Sequence, residues 1–256
     1  MKLNISFGKF KSLHKKKINH LLVYSQICKN YKFVENLYKF ILIKKNSFIF
    51  ESVEKGTVRG RYTIIGYNPD KTYNVIKNKI IVNDFKKKKI IKKRVLDYLN
   101  NLFKDFKVKS IGEVPKMASM IVGYFSYDII RLIEKIPDRC KKDIDIPDIR
   151  LMRPKNLIIY DNVKKKIFFI RNLFKEENII DYEIKYQSIK NKFRELEHFG
   201  NIKLPEGFHK SNGKIKVRSN VSKSKFKKIV LKAKDYIKKG DIFQVVLSQR
   251  FESKID

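Results

Sequence analysis

Residues 233–251 read AKDYIKKGDIFQVVLSQRF and span the end of one element and the whole of the next. The first element begins upstream at Ser222, which can cap a helix whose apolar positions recur every three or four residues: Phe226, Ile229, Val230, Ala233 and Ile237. Gly240 stands where a left-handed residue would end such a helix. From Ile242 to Phe251 apolar and polar residues alternate, which predicts a β-strand. The stretch therefore predicts a helix followed by a strand.

The predicted strand has one apolar and one polar face. The polar face, which carries Gln244, meets either solvent or a cavity, and the pattern alone favours solvent. A lone helix and strand cannot bury themselves, because a sheet needs neighbouring strands and a second layer. We therefore expect four side chains to be exposed or poorly packed: Phe243, Val245, Leu247 and Phe251.

The rest of the sequence predicts strands in clusters and helices apart from them. Predicted strands are Ser47–Ser52, Gly60–Gly66, a hairpin over Thr72–Val82, Met117–Tyr124, and a hairpin of Leu157–Tyr160 with Ile167–Ile170. Predicted helices lie within Lys86–Phe106, Tyr127–Ile133 and Glu177–Phe199. This arrangement favours an α+β fold with antiparallel sheets and flanking helices over a repeating βαβ fold. Proline and glycine breaks in Gly200–Gly213 predict a domain boundary.

Composition argues against several classes of protein. The 256 residues are 43% hydrophobic, which favours a folded core over disorder. The net charge of +34 invites a nucleic-acid partner, but the basic residues are mostly lysines spread along the chain rather than arginines. We interpret them as a solvated surface, with no nucleic-acid and no membrane partner. Cys28 and Cys140 lack metal-ligand spacing, and a reducing cytoplasm is the expected compartment.

Three stretches together resemble the anthranilate synthase component I family of chorismate-utilising enzymes. They are FIFESVEKG at 48–56 with GRYTIIG at 60–66, then VGYFSYD at 122–128 with EKIP at 134–137 and IPD at 146–148, and finally residues 233–251. Their order and spacing make the match specific, and it runs from about Leu21 to the last residue. The resemblance implies a basic extension over 1–20, a regulatory domain over 21–200, a linker over 201–215, and the beginning of a chorismate-binding catalytic domain over 216–256.

The family's chemistry follows from the resemblance. Its enzymes convert chorismate and ammonia into anthranilate and pyruvate, the first committed step of tryptophan biosynthesis. Mg²⁺ holds the substrate carboxylate, a glutamine amidotransferase subunit (component II) supplies ammonia, and L-tryptophan inhibits. The magnesium ligands of the family correspond to positions beyond Asp256, so no metal ligand is expected in this chain.

Three residues match functional positions of the family. Gln244 matches the position where ammonia users carry Gln and water users carry Lys. A desolvated lysine can act as a base toward water, whereas a neutral amide suits a ready-made nucleophile such as ammonia. Ser52, beside Glu51, matches the serine of the tryptophan site. Phe50, Arg59 and residues 33–35 depart from the family pattern and affect the expected tryptophan affinity.

Other functions stay open at this point. Aminodeoxychorismate synthase component I shares the architecture and a similar strand, although residues 245–250 look more like the anthranilate form. The chain is expected to stop before the catalytic centre and to be inactive alone. It could then be an inactive tryptophan-binding remnant, or a product with no function.

Overall fold

The computed structural model describes residues 1–42, 44–51, 60–137, 144–201 and 216–254, and the side chains of Phe40 and Leu42 are not described. The chain divides into two compact units, Met1–Leu204 and Pro205–Asp256. Unit 1 contains α1 (Phe7–Lys15), β1 (His20–Ile27), α2 (Tyr31–Leu42), β2 (Phe48–Phe50), β3 (Tyr62–Ile76), β4 (Lys79–Asn83), β5 (Lys88–Ile91), α3 (Val95–Asp105), β6 (Val122–Phe125), a 3-10 helix (Tyr127–Leu132), β7 (Ile149–Asp161), β8 (Lys166–Leu173) and α4 (Tyr182–Asn201). Unit 2 contains β9 (Arg218–Ser219), α5 (Lys223–Lys238) and β10 (Phe251–Glu252).

Unit 1 is built on one antiparallel sheet. Its strands follow the order β1-β8-β7-β3-β4-β5, with β2 beside β3 and β6 beside β7. The two longest strands, β3 and β7, pair along most of their length, and their register shifts once, between Pro69 and Lys71. The α+β class with an antiparallel sheet is therefore confirmed.

The central strands bury side chains on both faces, as their period of two requires. One face packs against the helices α1, α2 and α4 through Phe10, Leu37, Tyr160, Phe169 and Phe193. The opposite face holds a smaller cluster around Leu21, Leu157, Ile159 and Phe168. A third cluster lies toward the other end of β3 and β7, where α3 places Val95 and Leu99 against Tyr73 and Leu151.

The N-terminal segment belongs to the core of unit 1. In α1, Phe10 and Leu13 are buried, and Ser6 caps the helix by accepting a hydrogen bond from the Lys9 backbone N–H. Along β1, the register pairs every residue from His20 to Ile27 with β8. Residues 1–20 thus pack with unit 1, although the sequence suggested only a basic extension there.

Several predicted elements change in extent. The strands predicted at Gly60–Gly66 and Thr72 merge into β3, which continues through Pro69. The helix predicted within Lys86–Phe106 is correct only from Val95, since Lys88–Ile91 forms the edge strand β5 on β4. The strand predicted at Met117–Tyr124 is confined to β6. Both hairpins, the short helix after β6 and the long α4 are confirmed.

Unit 2 is small in its described part. The two-residue strands β9 and β10 pair with each other, and Ala233 is the buried apolar residue of α5. Within the described ranges, no helix is both long enough and apolar enough to cross a membrane.

Candidate functional site

The helix that leads to Gln244 forms as the sequence predicts. The Ser222 hydroxyl accepts a hydrogen bond from the Lys225 backbone N–H at 3.3 Å. At the other end, Gly240 adopts a φ of 77° and the Asp241 N–H donates to the Tyr236 carbonyl at 3.0 Å. This C-terminal pattern satisfies carbonyls that the last turn leaves free, and it sets the direction in which the chain leaves α5.

The segment carrying Gln244 is not a strand in this structure. The strand predicted over Ile242–Phe251 is wrong except for Phe251, which pairs in β10. No strand among the described residues pairs with residues 242–249, and a strand needs such a partner to form. Phe243 is 95% exposed and Val246 is 83% exposed. The expected poor packing is confirmed for Phe243, Val245 and Phe251, while Leu247 is half-buried. The Gln244 side chain itself is exposed.

Glu51, at the end of β2, lies in a cluster of hydroxyl groups. The hydroxyl groups of Tyr31 and Tyr38 both reach Glu51 Oε1, and that of Tyr38 donates over 2.9 Å. The two phenol oxygens also contact each other, and Tyr31 lies 3.4 Å from the Thr63 hydroxyl. Ser52, the other residue predicted for a tryptophan site, lies outside the described residues. We call Tyr31, Tyr38, Glu51 and Thr63 the tyrosine–glutamate cluster.

The electrostatics of this cluster keep both phenols protonated. Burial raises the pKa of Tyr31 and of Tyr38, and their hydrogen bonds to Glu51 raise each pKa further. At neutral pH both residues are therefore neutral hydrogen-bonding groups beside a carboxylate. Because Glu51 is exposed, its carboxylate faces solvent with two aromatic rings beside it.

Tyr31 and Tyr38 were missed as site residues in the sequence. They are seven residues apart, which places them two turns apart on the same face of a helix. That spacing is the sequence signal that could have identified the two tyrosines as neighbours. Their partner Glu51 lies on another element, and nothing local to α2 points to it.

Two histidines also come together that the sequence separated. The ring centroids of His14 and His20 lie 6.1 Å apart, and both side chains are buried. His14 Nε2 lies 2.9 Å from the Glu177 carbonyl, and His20 Nδ1 lies 2.8 Å from the Ile18 carbonyl. Burial lowers the pKa of His20, which favours the neutral ring. Their contacts are those of packed core side chains, with backbone carbonyls as the hydrogen-bond partners.

The described residues do not build a metal site. Within these ranges, no group of three or more His, Cys, Asp or Glu side chains is close enough together to hold an ion. Mg²⁺ prefers several oxygen ligands in octahedral geometry. These residues therefore do not fit a magnesium site.

Comparison with known proteins places the chain in a family. Residues 45–256 match the family model described as chorismate binding enzyme. The chain belongs to the chorismate binding enzyme family. Component 1 of anthranilate synthase from Acetivibrio thermocellus is a relative, 36% identical over 210 residues. The chloroplastic anthranilate synthase alpha subunit 2 of Oryza sativa subsp. japonica is 32% identical over 227 residues.

The family relationship extends to the fold. The crystal structure of anthranilate synthase component I from Streptococcus pneumoniae TIGR4 superposes with a TM-score of 0.61 at 25% identity, covering 86% of this chain and 46% of that chain. The Acetivibrio match covers 79% of this chain and 42% of its relative, and the rice match covers 81% and 38%. This chain therefore spans less than half the length of these family members.

Proposed function

We propose that this chain is the N-terminal part of an anthranilate synthase component I. The enzyme would be a lyase that uses ammonia, released from glutamine by a component II subunit, to convert chorismate into anthranilate and pyruvate. The observation that carries the proposal is the alignment with component 1 over 210 residues, together with a Gln at position 244. A neutral amide there can hydrogen-bond ammonia without activating water.

We propose further that chorismate turnover needs polypeptide beyond this chain. Gln244 can position a nucleophile only if its backbone is fixed, and in this structure residues 242–250 form no strand. The exposed Phe243 and Val246 are side chains that additional strands would cover. The Mg²⁺ that holds the substrate carboxylate would then be bound by residues of that additional polypeptide.

An activity assay tests this proposal. With chorismate, Mg²⁺ and ammonium, we expect no anthranilate fluorescence from the 256-residue chain alone. We expect fluorescence after addition of a polypeptide corresponding to the unmatched part of the Acetivibrio component 1. In that complex, Gln244→Lys should reduce the ammonia-dependent rate at least tenfold, because a lysine replaces the neutral amide with a charged or basic group.

The outcomes separate the alternatives. Anthranilate from the chain alone would contradict the need for further polypeptide. Amination of chorismate without release of pyruvate would favour aminodeoxychorismate synthase, the alternative with the same architecture. Chorismate left unchanged by the complemented complex would contradict both functions. The cytoplasmic location and the absence of a nucleic-acid partner stay predictions from the sequence.

Regulation by L-tryptophan is the second function that we propose, and the tyrosine–glutamate cluster favours it. Glu51 offers a carboxylate for the ammonium group of an amino acid, beside two aromatic rings. Ser52 follows directly in the chain and would add a hydroxyl group. A chain that bound tryptophan without turning over chorismate would be the tryptophan-binding remnant considered above.

We expect Glu51→Gln to weaken tryptophan binding about tenfold, since a charge-assisted contact to the ammonium group is lost. The chain contains no tryptophan of its own, so the indole fluorescence of the ligand reports binding directly. Glu35→Gln is the matched control, because Glu35 is another carboxylate, carried by α2, that lies outside the tyrosine–glutamate cluster and pairs with Lys32. Equal affinities of the two variants would argue against the site, as would failure of the unmodified chain to bind tryptophan at millimolar concentration.

A further inference from the structure

A cavity lies in unit 1 between the sheet and helix α3. Its volume is about 320 Å³, which is at the lower end of the range for small-molecule sites. Its sheet wall is formed by four residues: Lys71, Tyr73, Val82 and Arg153. They share one face of the sheet, because Lys71 and Tyr73 are two residues apart on β3 and lie opposite Arg153 and Val82 in the strand register. We call this space the α3 cavity.

Helix α3 forms the opposite wall. The residues that it contributes are Tyr98, Asn101, Leu102 and Asp105. Their spacing of three, four and seven residues places them on one face of the helix. The same helix packs on this face of the sheet through Val95 and Leu99, which join Tyr73 in one apolar cluster. Side chains of both walls are therefore directed into the same space.

Arg153 is held in place and keeps one nitrogen unused. The residue is 6% exposed, and its Nε donates to Asp70 Oδ1 at 2.9 Å while Nη2 donates to Asp70 and to Glu176. Its guanidinium carbon lies 3.8 Å from the centroid of the Phe174 ring. Nη1 donates to no described residue, although it retains accessible surface. Its two N–H groups are therefore available to a ligand.

Tyr73 supplies a second unused donor. The residue is 4% exposed, and its hydroxyl group makes no hydrogen bond to a described residue but retains accessible surface. Burial raises the pKa of Tyr73 and that of Tyr98, so both hydroxyl groups keep their protons at neutral pH. Buried polar groups usually have partners, because an unmade hydrogen bond is costly. The cavity thus contains hydrogen-bond donors that lack acceptors.

The charges around the α3 cavity favour a single negative charge. Four cations line it: Lys71, Lys93, Arg153 and Lys175. The lining carboxylates are Asp105 and Glu176, and Asp70 pairs with Arg153 from outside the lining. Glu176 is already engaged, at 3.3 Å from both Lys71 and Arg153. Four cations against three carboxylates leave a net charge of +1, which a monoanion would neutralise.

We propose that the α3 cavity binds the anion of a small monocarboxylic acid. Its carboxylate would accept hydrogen bonds from Nη1 of Arg153 and from the Tyr73 hydroxyl group, which supplies both missing partners at once. Val82, Leu102 and Phe106 provide apolar surface against which a compact body can pack. An acid with one ring therefore fits the cavity better than a purely polar anion.

An amide NMR titration of the isotope-labelled 256-residue chain with benzoate tests the site, at ionic strength matched with chloride. Benzamide, which has nearly the same shape but no charge, is the control ligand. Tyr73→Phe is expected to weaken benzoate binding about tenfold, since one hydrogen bond to a charged group is lost. Arg153 is left unchanged because its substitution would also break the pair with Asp70.

Tyr67→Phe is the matched control variant. Tyr67 lies on the same strand and is 5% exposed, but it does not line the α3 cavity. Neither substitution alters the charge of the chain. A general attraction of this basic protein for anions would therefore be the same in both variants and in the unmodified chain.

Saturable binding of benzoate, weaker in Tyr73→Phe and unchanged in Tyr67→Phe, supports the proposal. Benzamide should bind more weakly than benzoate. Equal affinity of the two variants, equal affinity of the two ligands, or no saturable binding up to about 10 mM benzoate would overturn the proposal. Benzoate-induced amide shifts confined to residues outside the cavity walls would also overturn it, and this measurement needs only the unmodified chain. Circular dichroism of each variant verifies that the fold is intact.

Discussion

Asp161→Ala is expected to lower the free energy of unfolding of unit 1 by about 3 kcal/mol. Asp161 ends β7 and is 2% exposed. It accepts hydrogen bonds from Arg61, the shortest from Nη2 at 2.7 Å, and from the backbone N–H groups of Val163 and Lys164 at 3.0 and 3.1 Å. Removing the carboxylate leaves the guanidinium without its partner and the β7–β8 turn without its acceptor. Urea unfolding followed by circular dichroism measures the loss.

Asp128→Asn is the control for this prediction. Asp128 also pairs with an arginine, Arg131, at 2.8 Å, but its side chain is 47% exposed. Exposed pairs contribute less than about 1 kcal/mol, because water screens the charges. If both substitutions had the same small effect, the Arg61–Asp161 pair would not be a stabilising interaction.

The same pair predicts how stability depends on pH. Burial acts to raise the pKa of Asp161, but the hydrogen bonds from Arg61 and from the turn outweigh it and lower the pKa overall. A lowered folded pKa means that the contribution is complete above the unfolded value, about 4, and is lost as pH falls below it. The difference in stability between the unmodified chain and Asp161→Ala should therefore shrink below about pH 4.

Gly123→Ala is expected to destabilise unit 1 by about 2 kcal/mol. A Cβ at this position would lie 1.8 Å from the carbonyl oxygen of Arg150 and 2.8 Å from the Leu151 Cα. Both are backbone atoms of β7, so no side-chain rotation can relieve the overlap. The pairing of β6 with β7 must shift instead, and hydrogen exchange at Val122–Phe125 should accelerate along with the loss in urea midpoint.

Gly8→Ala, by contrast, should increase the stability of unit 1. Gly8 lies in α1, and a Cβ there would meet nothing within 4 Å. Gly8 is the second residue of α1, and alanine is favoured over glycine at helical positions by up to about 0.5–1 kcal/mol, the value for a helix interior. A Gly123→Ala variant as stable as Gly8→Ala would show that β6 does not depend on the close approach to Arg150.

The sequence predicts correctly the helices and hairpins whose caps, turns and apolar spacing lie within their own residues. The helix α5 was predicted with its cap at Ser222 and its end at Gly240, because both signals lie within the helix's own sequence. The hairpin of β7 and β8 was predicted because its turn separates two apolar runs. The edge strand β5 was mistaken for helix, since its lysine-rich sequence becomes a strand only by pairing with β4.

Contacts between distant residues could not be predicted from the sequence. Arg61 stands out in a family stretch, yet its partner Asp161 lies 100 residues away. Glu51 was expected at a site, but its neighbours Tyr31 and Tyr38 required the packing of α2 beside β2 to be known.

The long strand β3 also determines where the chain can tolerate a change in length. It pairs with β7 from Tyr62 to Val75, and one side of this ladder faces the helices while the other faces the second cluster. Loss or gain of one residue within a regular part of β3 would turn every later side chain to the wrong face. Between Pro69 and Lys71 the register already shifts, so a bulge there can absorb the extra length. Insertions and deletions compatible with folding should therefore concentrate at this one point of β3.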